Sequence, residues 1–202
     1  MFSWFILSVA GFTLIVPVYF LSLEHIRLRE WLGDSMGKRV GDILGMISGW
    51  GFFLFWFGMW ISPQNRFQLS SPLFTILGLQ LSALNILISL FPLIPAFWLG
   101  LRGVMDLGLE TSETHRPNRV VQTGLYGVVR HPQYLGGMLG HLGVSTLLGS
   151  ADALLVTPLV ILIVYVISWK EEREMIREFG DEYRRYQREV PMFIPRITGR
   201  RG

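Results

Sequence analysis

The 202-residue chain contains no cysteine, which excludes disulfide scaffolds, thiolate zinc sites, iron–sulfur clusters and a thiol nucleophile, and leaves the redox compartment unread. Charge is also scarce. Only 16% of residues are charged and 50% are hydrophobic, against roughly 25% charged in soluble domains, and the mean hydropathy is +0.42. Such a composition belongs to a membrane protein, and several spans of about 20 residues leave no length for a second soluble domain. No uniform basic stripe is present either. The 18 Lys and Arg residues are interleaved with 15 Asp and Glu, so nucleic acid is not the expected partner, and contact with anionic lipid headgroups accounts for the small basic excess. His25, His115, His131 and His141 are scattered with no His-Glu-x-x-His spacing, so no metal site is expected.

What is there is a series of long uncharged runs. Residues 1–23 carry no charge and are long enough to cross a hydrocarbon core of about 30 Å. They lack the basic n-region and small-residue cleavage pattern of a signal peptide, so they read as a retained span. The remaining runs place spans near 43–61, 73–100, 133–149 and 152–169, after a first at 2–23. The second run is rich in Trp and Phe, which suit the interfacial belt at its ends. The third is longer than one crossing needs; Pro92 and Pro95 predict a kink, and the surplus is expected to tilt or leave the core. Between the last two spans Gly149, Ser150 and Asp152 predict a tight helical hairpin. Arg66 alone among the 18 Lys and Arg residues falls on one side of this five-span arrangement. The positive-inside rule therefore puts the N-terminus outside and the C-terminus in the cytoplasm. From 170 to 190, Met175, Ile176, Phe179, Tyr183, Tyr186 and Val190 recur three or four apart among charges. That spacing predicts an amphipathic helix, held by packing or interrupted at Gly180 and ended by Pro191. The expected fold is all-α, a polytopic membrane protein of about five transmembrane helices with a C-terminal cytoplasmic amphipathic helix. It forms a single domain over 1–202, with three spans in 1–101 and a second half in 102–202.

The densest cluster of unusual residues runs from Gly124 to Gly137. Pro132 keeps His131 out of the helical basin and suits a first helical turn, so span four is expected to begin there. A helix N-terminus beside Arg130 and His131 makes an anion site at the membrane surface; ordinary anchoring, with Arg130 snorkelling to lipid phosphate, is the alternative. Gly136, Gly140 and Gly143 leave one face of that helix without side chains, as close helix packing or a wall for a ligand requires. His141 lies at membrane depth, as a functional residue or as a core histidine with one partner. Glu172 shares a face with Ile176, Phe179 and Tyr183, so it points to the packed side and wants Arg130, ligand hydroxyls or a ligand cation. Glu171 fits better into a solvated charge run with Arg173 and Arg177.

These clusters resemble the isoprenylcysteine carboxyl methyltransferase and phospholipid methyltransferase superfamily of integral membrane enzymes. The resemblance is carried by Gly124-Leu125-Tyr126, Arg130-His131-Pro132-Gln133-Tyr134 with Gly136, Glu171-Glu172, Phe179-Gly180-Asp181-Glu182-Tyr183, Tyr186, and Val190-Pro191 with Pro195. It covers roughly the last 85 residues. The first three spans match only in number and hydrophobicity. It implies S-adenosylmethionine in a cytoplasm-facing pocket, walled by the segment before span four, the start of that span and the first turn of the C-terminal helix. It also implies a lipophilic or small methyl acceptor entering from the bilayer. The residues it assigns to the cofactor are Val120, Gln122, Gly124, Leu125, Tyr126, Arg130, His131, Pro132, Tyr134, Glu171 and Glu172. In that assignment the cofactor carboxylate takes the helix N-terminus with Arg130 or His131, its hydroxyls and sulfonium face Glu171 or Glu172, and its adenine lies along backbone 120–125. His131 and Glu172 are the candidate catalytic bases for an amine or neutral thiol acceptor.

One departure bears on the acceptor. The carboxyl methyltransferase pattern places an arginine shortly before the paired glutamates, where this chain has Val166-Ile167-Ser168-Trp169-Lys170. Lys170 lacks the bidentate fork, which disfavours a prenylcysteine carboxylate and leaves lipid amines, small thiols and other apolar carboxylates. Two other readings compete: an NADPH-dependent membrane reductase of the sterol or steroid type, which carries a similar Arg-His-Pro-x-Tyr segment, and a non-catalytic membrane scaffold.

Overall fold

A computed structural model describes residues 3–108 and 119–196. His115 and the middle of the polar stretch before span four lie outside the described residues, as does the terminal residue Gly202. The described residues form nine α-helices, one 3-10 turn and one two-stranded hairpin.

The first uncharged run is two helices, α1 (Ser3–Leu14) and α2 (Val16–Leu23), not one. Pro17, in the first turn of α2, has no N–H to return to the carbonyl four residues before it, so the ladder is interrupted at Ile15. Helix α3 (His25–Leu32) follows, and then α4 (Asp34–Ile61), which starts well before the uncharged run at 43. Charge limits where a helix can be buried in lipid, not where its hydrogen bonding begins. Trp50, Phe53, Leu54 and Phe57 are exposed on α4, an apolar outer surface of the kind lipid covers.

The surplus of the third run leaves the helix altogether, adding strands to the expected all-α fold. Strands β1 (Pro72–Ile76) and β2 (Leu79–Ser82) pair antiparallel around Leu77 and Gly78. Both turn residues have positive φ, 51° and 79°, the combination that a two-residue hairpin turn requires. Ser82 then caps α5 (Ala83–Leu107), accepting a hydrogen bond from the Asn85 N–H, and α5 runs as one element through Pro92 and Pro95.

Helix α6 (Pro132–Leu147) has Pro132 in its first turn, where the missing N–H costs nothing. Gly149, at φ 59°, makes the turn into the short α7 (Ala151–Leu155), and α8 (Thr157–Phe179) follows. The last uncharged run, expected as span five, and residues 170–179 are thus one continuous helix. Gly180, at φ 55°, breaks it before α9 (Asp181–Glu189). Glu171 and Glu172 consequently project from deep within α8, about four turns in, and not from the first turn of a separate C-terminal helix.

Close packing of α5 on α6 accounts for the glycine face. A Cβ on Gly136 would lie 2.9 Å from the Ala96 carbonyl oxygen, and one on Gly143 would lie 2.5 Å from Leu93. Neighbouring helix fills that face, as small residues at helix interfaces permit. His141 is a core histidine with two partners: Trp56 Nε1–H donates to its Nδ1 at 2.9 Å and its Nε2 lies 3.0 Å from the Ala153 carbonyl. Since Nδ1 accepts, Nε2 carries the proton and donates.

The helix ends group into two sets. Arg66 donates to Leu148 O at 2.9 Å and Ser150 Oγ at 3.0 Å, and Asn65 Nδ2 donates to Asp152 Oδ1 at 3.0 Å, so the connection after α4 meets the turn after α6. At the other set, Lys170 bridges Glu24 and Glu174, both at 2.9 Å, and the Leu125 N–H donates to Asp106 Oδ2 at 2.9 Å. Three helical segments, Trp4–Leu23, Asp34–Ile61 and Ala83–Leu107, are long and apolar enough to cross a membrane.

Candidate active site

Three segments meet beside the start of α6. The 3-10 turn Gly124–Gly127 brings the chain to Val128 and Val129, and His131, outside the helical basin at φ −127° and ψ 63°, opens α6. Gly124 needs its positive φ of 59° and also its bare Cα, because a Cβ there would stand 2.2 Å from Asp106 Oδ2. The segment after α9 folds back over this corner: Arg130 N–H donates to Pro191 O at 2.9 Å and His131 N–H to Met192 O at 3.2 Å.

Glu172 is the hub. Its Oε1 accepts from Arg130 Nε at 2.6 Å and lies 3.0 Å from His131 Nε2; its Oε2 accepts from Arg130 Nη2 at 3.0 Å and Gln187 Nε2 at 2.6 Å. Arg130 Nη1 donates in addition to the carbonyls of Gln187 and Val190. The guanidinium thus directs four of its five N–H groups at protein acceptors. Glu172 is buried, and burial alone would raise its pKa; the hydrogen bonds from His131 and Arg130 outweigh it and hold the carboxyl below the usual carboxylate range.

Glu171 is not part of a solvated charge run. Its Oε1 accepts from the hydroxyls of both Tyr19 and Tyr134, whose oxygens are 3.1 Å apart. Its Oε2 is 3.7 Å from His131 Nδ1, too far for a direct hydrogen bond. The His131 ring stacks on Tyr134, with centroids 5.6 Å apart and planes 15° from parallel, and Phe193 packs on it at 5.8 Å. Arg173, an expected partner of Glu171, lies over the Trp169 ring at 4.8 Å, and Arg177 pairs with Glu174.

The other candidates surround this core unevenly. Tyr126 is buried, accepts from Gln133 Nε2 at 3.1 Å, and its carbonyl accepts from Tyr186 OH at 2.7 Å. Burial pushes its phenol pKa up, so it stays neutral. Val120 packs with Tyr183, Tyr186 and Val190 in a second apolar cluster, on which Met175, Ile176 and Phe179 close. Pro132 and Leu125 are buried, whereas Gln122 and Gly124 are exposed. Lys170 is committed to Glu24 and Glu174; hydrogen bonds from Arg27 and then Lys170 lower the Glu24 carboxyl to about 2.

Sequence reasoning missed Tyr19 and Gln187. A hydroxyl within the uncharged first run was the available signal for Tyr19. For Gln187, one polar residue on a polar helix, there was none.

A family model described as phospholipid methyltransferase matches residues 73–182. A protein-S-isoprenylcysteine O-methyltransferase of Schizosaccharomyces pombe is 34% identical over 97 residues, which are 44% of this chain and 38% of that protein. Methanethiol S-methyltransferase 2 of Bradyrhizobium diazoefficiens is 39% identical over 77 residues, 38% of this chain and 29% of that protein. The protein-S-isoprenylcysteine O-methyltransferase of Mus musculus is 32% identical over 98 residues, 45% of this chain and 31% of that protein. The chain therefore spans well under half the length of these curated relatives. No solved structure matches it. The family match takes in more than half of the 202 residues, including Arg130, His131, Glu171 and Glu172, and this chain belongs to the phospholipid methyltransferase family.

Proposed function

We propose that the protein is an integral membrane methyltransferase that uses S-adenosylmethionine and methylates a lipophilic or small acceptor at the cytoplasmic face of the bilayer. The observation that carries this reading is the convergence of Arg130 and His131, from the start of α6, on Glu172 of α8, with the 190–193 segment folded over them. The donor set suits the cofactor. His131 Nδ1 and Glu171 Oε2 lie 3.7 Å apart without bonding, which leaves both able to bond a ligand group that approaches them from one side. The helix N-terminus favours a carboxylate.

S-adenosylmethionine supplies an electrophilic methyl group on a sulfonium. Glu171 Oε2 is the acceptor for ligand hydroxyl or ammonium protons, and backbone 120–125 offers polar edges for the base. Arg130 is better assigned as the positioning residue of Glu172 than as a ligand for the cofactor carboxylate, because Glu172 and two carbonyls already engage it. Glu172 in turn accepts at His131 Nε2, so the neutral imidazole keeps its lone pair on Nδ1, facing the site. With an amine or thiol acceptor, Nδ1 takes the proton and Glu172 stabilises the imidazolium. With a carboxylate acceptor no base is needed, and alignment and desolvation carry the rate. The engagement of Lys170 by two carboxylates favours an acceptor that is not anionic.

Five crossings are proposed, with α6 and α8 joining the three long apolar segments, the N-terminus outside and the C-terminus cytoplasmic. Support comes from the two sets of helix ends, which put the Arg66 side opposite the Lys170 side. The test is calorimetric titration of the detergent-purified chain with S-adenosylhomocysteine and NADPH, followed by labelled S-adenosylmethionine with fractionated lipids and small thiols. Binding of S-adenosylhomocysteine alone and a labelled product are expected; no binding of it overturns the reading.

A further inference from the structure

Helices α1 to α4 lie outside the matched family region, yet α2 delivers a polar side chain to the site. Tyr19, in α2, is 2% exposed. Its hydroxyl donates to Glu171 Oε1, the oxygen to which Tyr134 also donates. A phenol has a single proton to give. Both go to the carboxylate, and the 3.1 Å between the two phenol oxygens follows from their common acceptor. The Tyr19 ring is fixed independently of Glu171: it packs edge-on against Phe52 of α4, with centroids 5.8 Å apart and planes at 73°. Phenylalanine would fill that space equally well. The hydroxyl, which costs free energy to bury unpaired, is there for the carboxylate.

Glu171 needs such a hold. It sits on a helix whose neighbouring charges are satisfied elsewhere, and among the described residues no Lys or Arg pairs with its flexible side chain. Two donors on Oε1, one from α2 and one from α6, fix the carboxylate so that Oε2 faces His131 Nδ1. We propose that Tyr19 is a positioning residue for cofactor recognition, jointly with Tyr134 aiming Glu171 Oε2 at the polar group the cofactor presents. This rests on the reading that the chain binds S-adenosylmethionine.

The test is a double-mutant cycle on the full chain in detergent, read by calorimetric titration with S-adenosylhomocysteine and by thermal melting without ligand. Tyr19→Phe is expected to weaken binding about 10-fold, the size expected for one hydrogen bond to a charged group, while melting within a few degrees of wild type. Tyr134→Phe, which removes the other donor from the same oxygen, should act likewise. Glu171→Gln should weaken binding by itself, and adding Tyr19→Phe to it should cost nothing more. Unchanged affinity in Tyr19→Phe, or its full factor recurring on top of Glu171→Gln, overturns the positioning role while wild-type binding still supports the proposed function. Failure of the wild type to bind overturns both.

Discussion

Arg130 and Glu172 form a buried ion pair with bidentate geometry, at 2.6 and 3.0 Å. Removing one partner strands the other, a change that costs about 3–5 kcal/mol in buried pairs. Glu172→Ala is therefore expected to lose much of its folded protein, measured by thermal melting in detergent, and its loss of cofactor binding would not be informative alone. Replacing both residues by methionine should recover only part of that stability: the orphaned charge is gone, but His131, Gln187 and two carbonyls still lose their partners. The pair also sets an acid limit. Because the Glu172 carboxyl is held below its ordinary value of 4.5, its contribution is complete above that value and is lost as pH falls through the lowered one. Melting temperature should therefore drop below about pH 4.5 in the wild type and more shallowly in Glu172→Gln, with Glu24 contributing over the interval down to about 2 in both. At this scale Pro132, Arg130 and His131 were legible from sequence because a proline marks a helix start locally. The partners of Glu171 were not, because Tyr19 is 152 positions away and only packing brings it near.

Two elements hold the site in place, and glycine is decisive in each for a different reason. Between α5 and α6 the limit is space. Gly136→Ala pushes a methyl against the Ala96 carbonyl at 2.9 Å, whereas Gly140→Ala meets nothing nearer than the Ala96 Cβ at 3.9 Å. Thermal melting should show a loss of about 1–3 kcal/mol for the first and none, or a small gain from helix propensity, for the second. Between α8 and α9 the limit is conformation. Gly180 has open space around a notional Cβ but a φ of 55°, so Gly180→Ala should cost about 1 kcal/mol through strain alone. That break also explains the tail. The residues spaced three and four apart from Met175 to Val190 pack together with Val120, but the spacing could not show that two helices, broken at Gly180, carry them.

For the whole molecule, the helix ends form two opposed sets, one around Arg66 and Asp152 and one around Lys170, Glu24 and Asp106. A protease-accessibility map with tags at the two termini should find the N-terminal tag outside and the C-terminal tag in the cytoplasm. Both tags on one side would remove the five-crossing arrangement. The hairpin at 72–82 accounts for the excess length of the third apolar run, which hydropathy registers only as more apolar sequence.

What the sequence determined by itself is local or additive. Hydrophobic content set a membrane protein, proline and glycine set where helices start and stop, and the motif around Arg130 and the paired glutamates set the family. The tertiary structure alone decided which groups satisfy one another: Arg130 with Glu172, Tyr19 and Tyr134 with Glu171, Lys170 between two carboxylates. The physical reason is that a buried polar group must find a partner, and residue types restrict what that partner is without fixing where in the chain it lies.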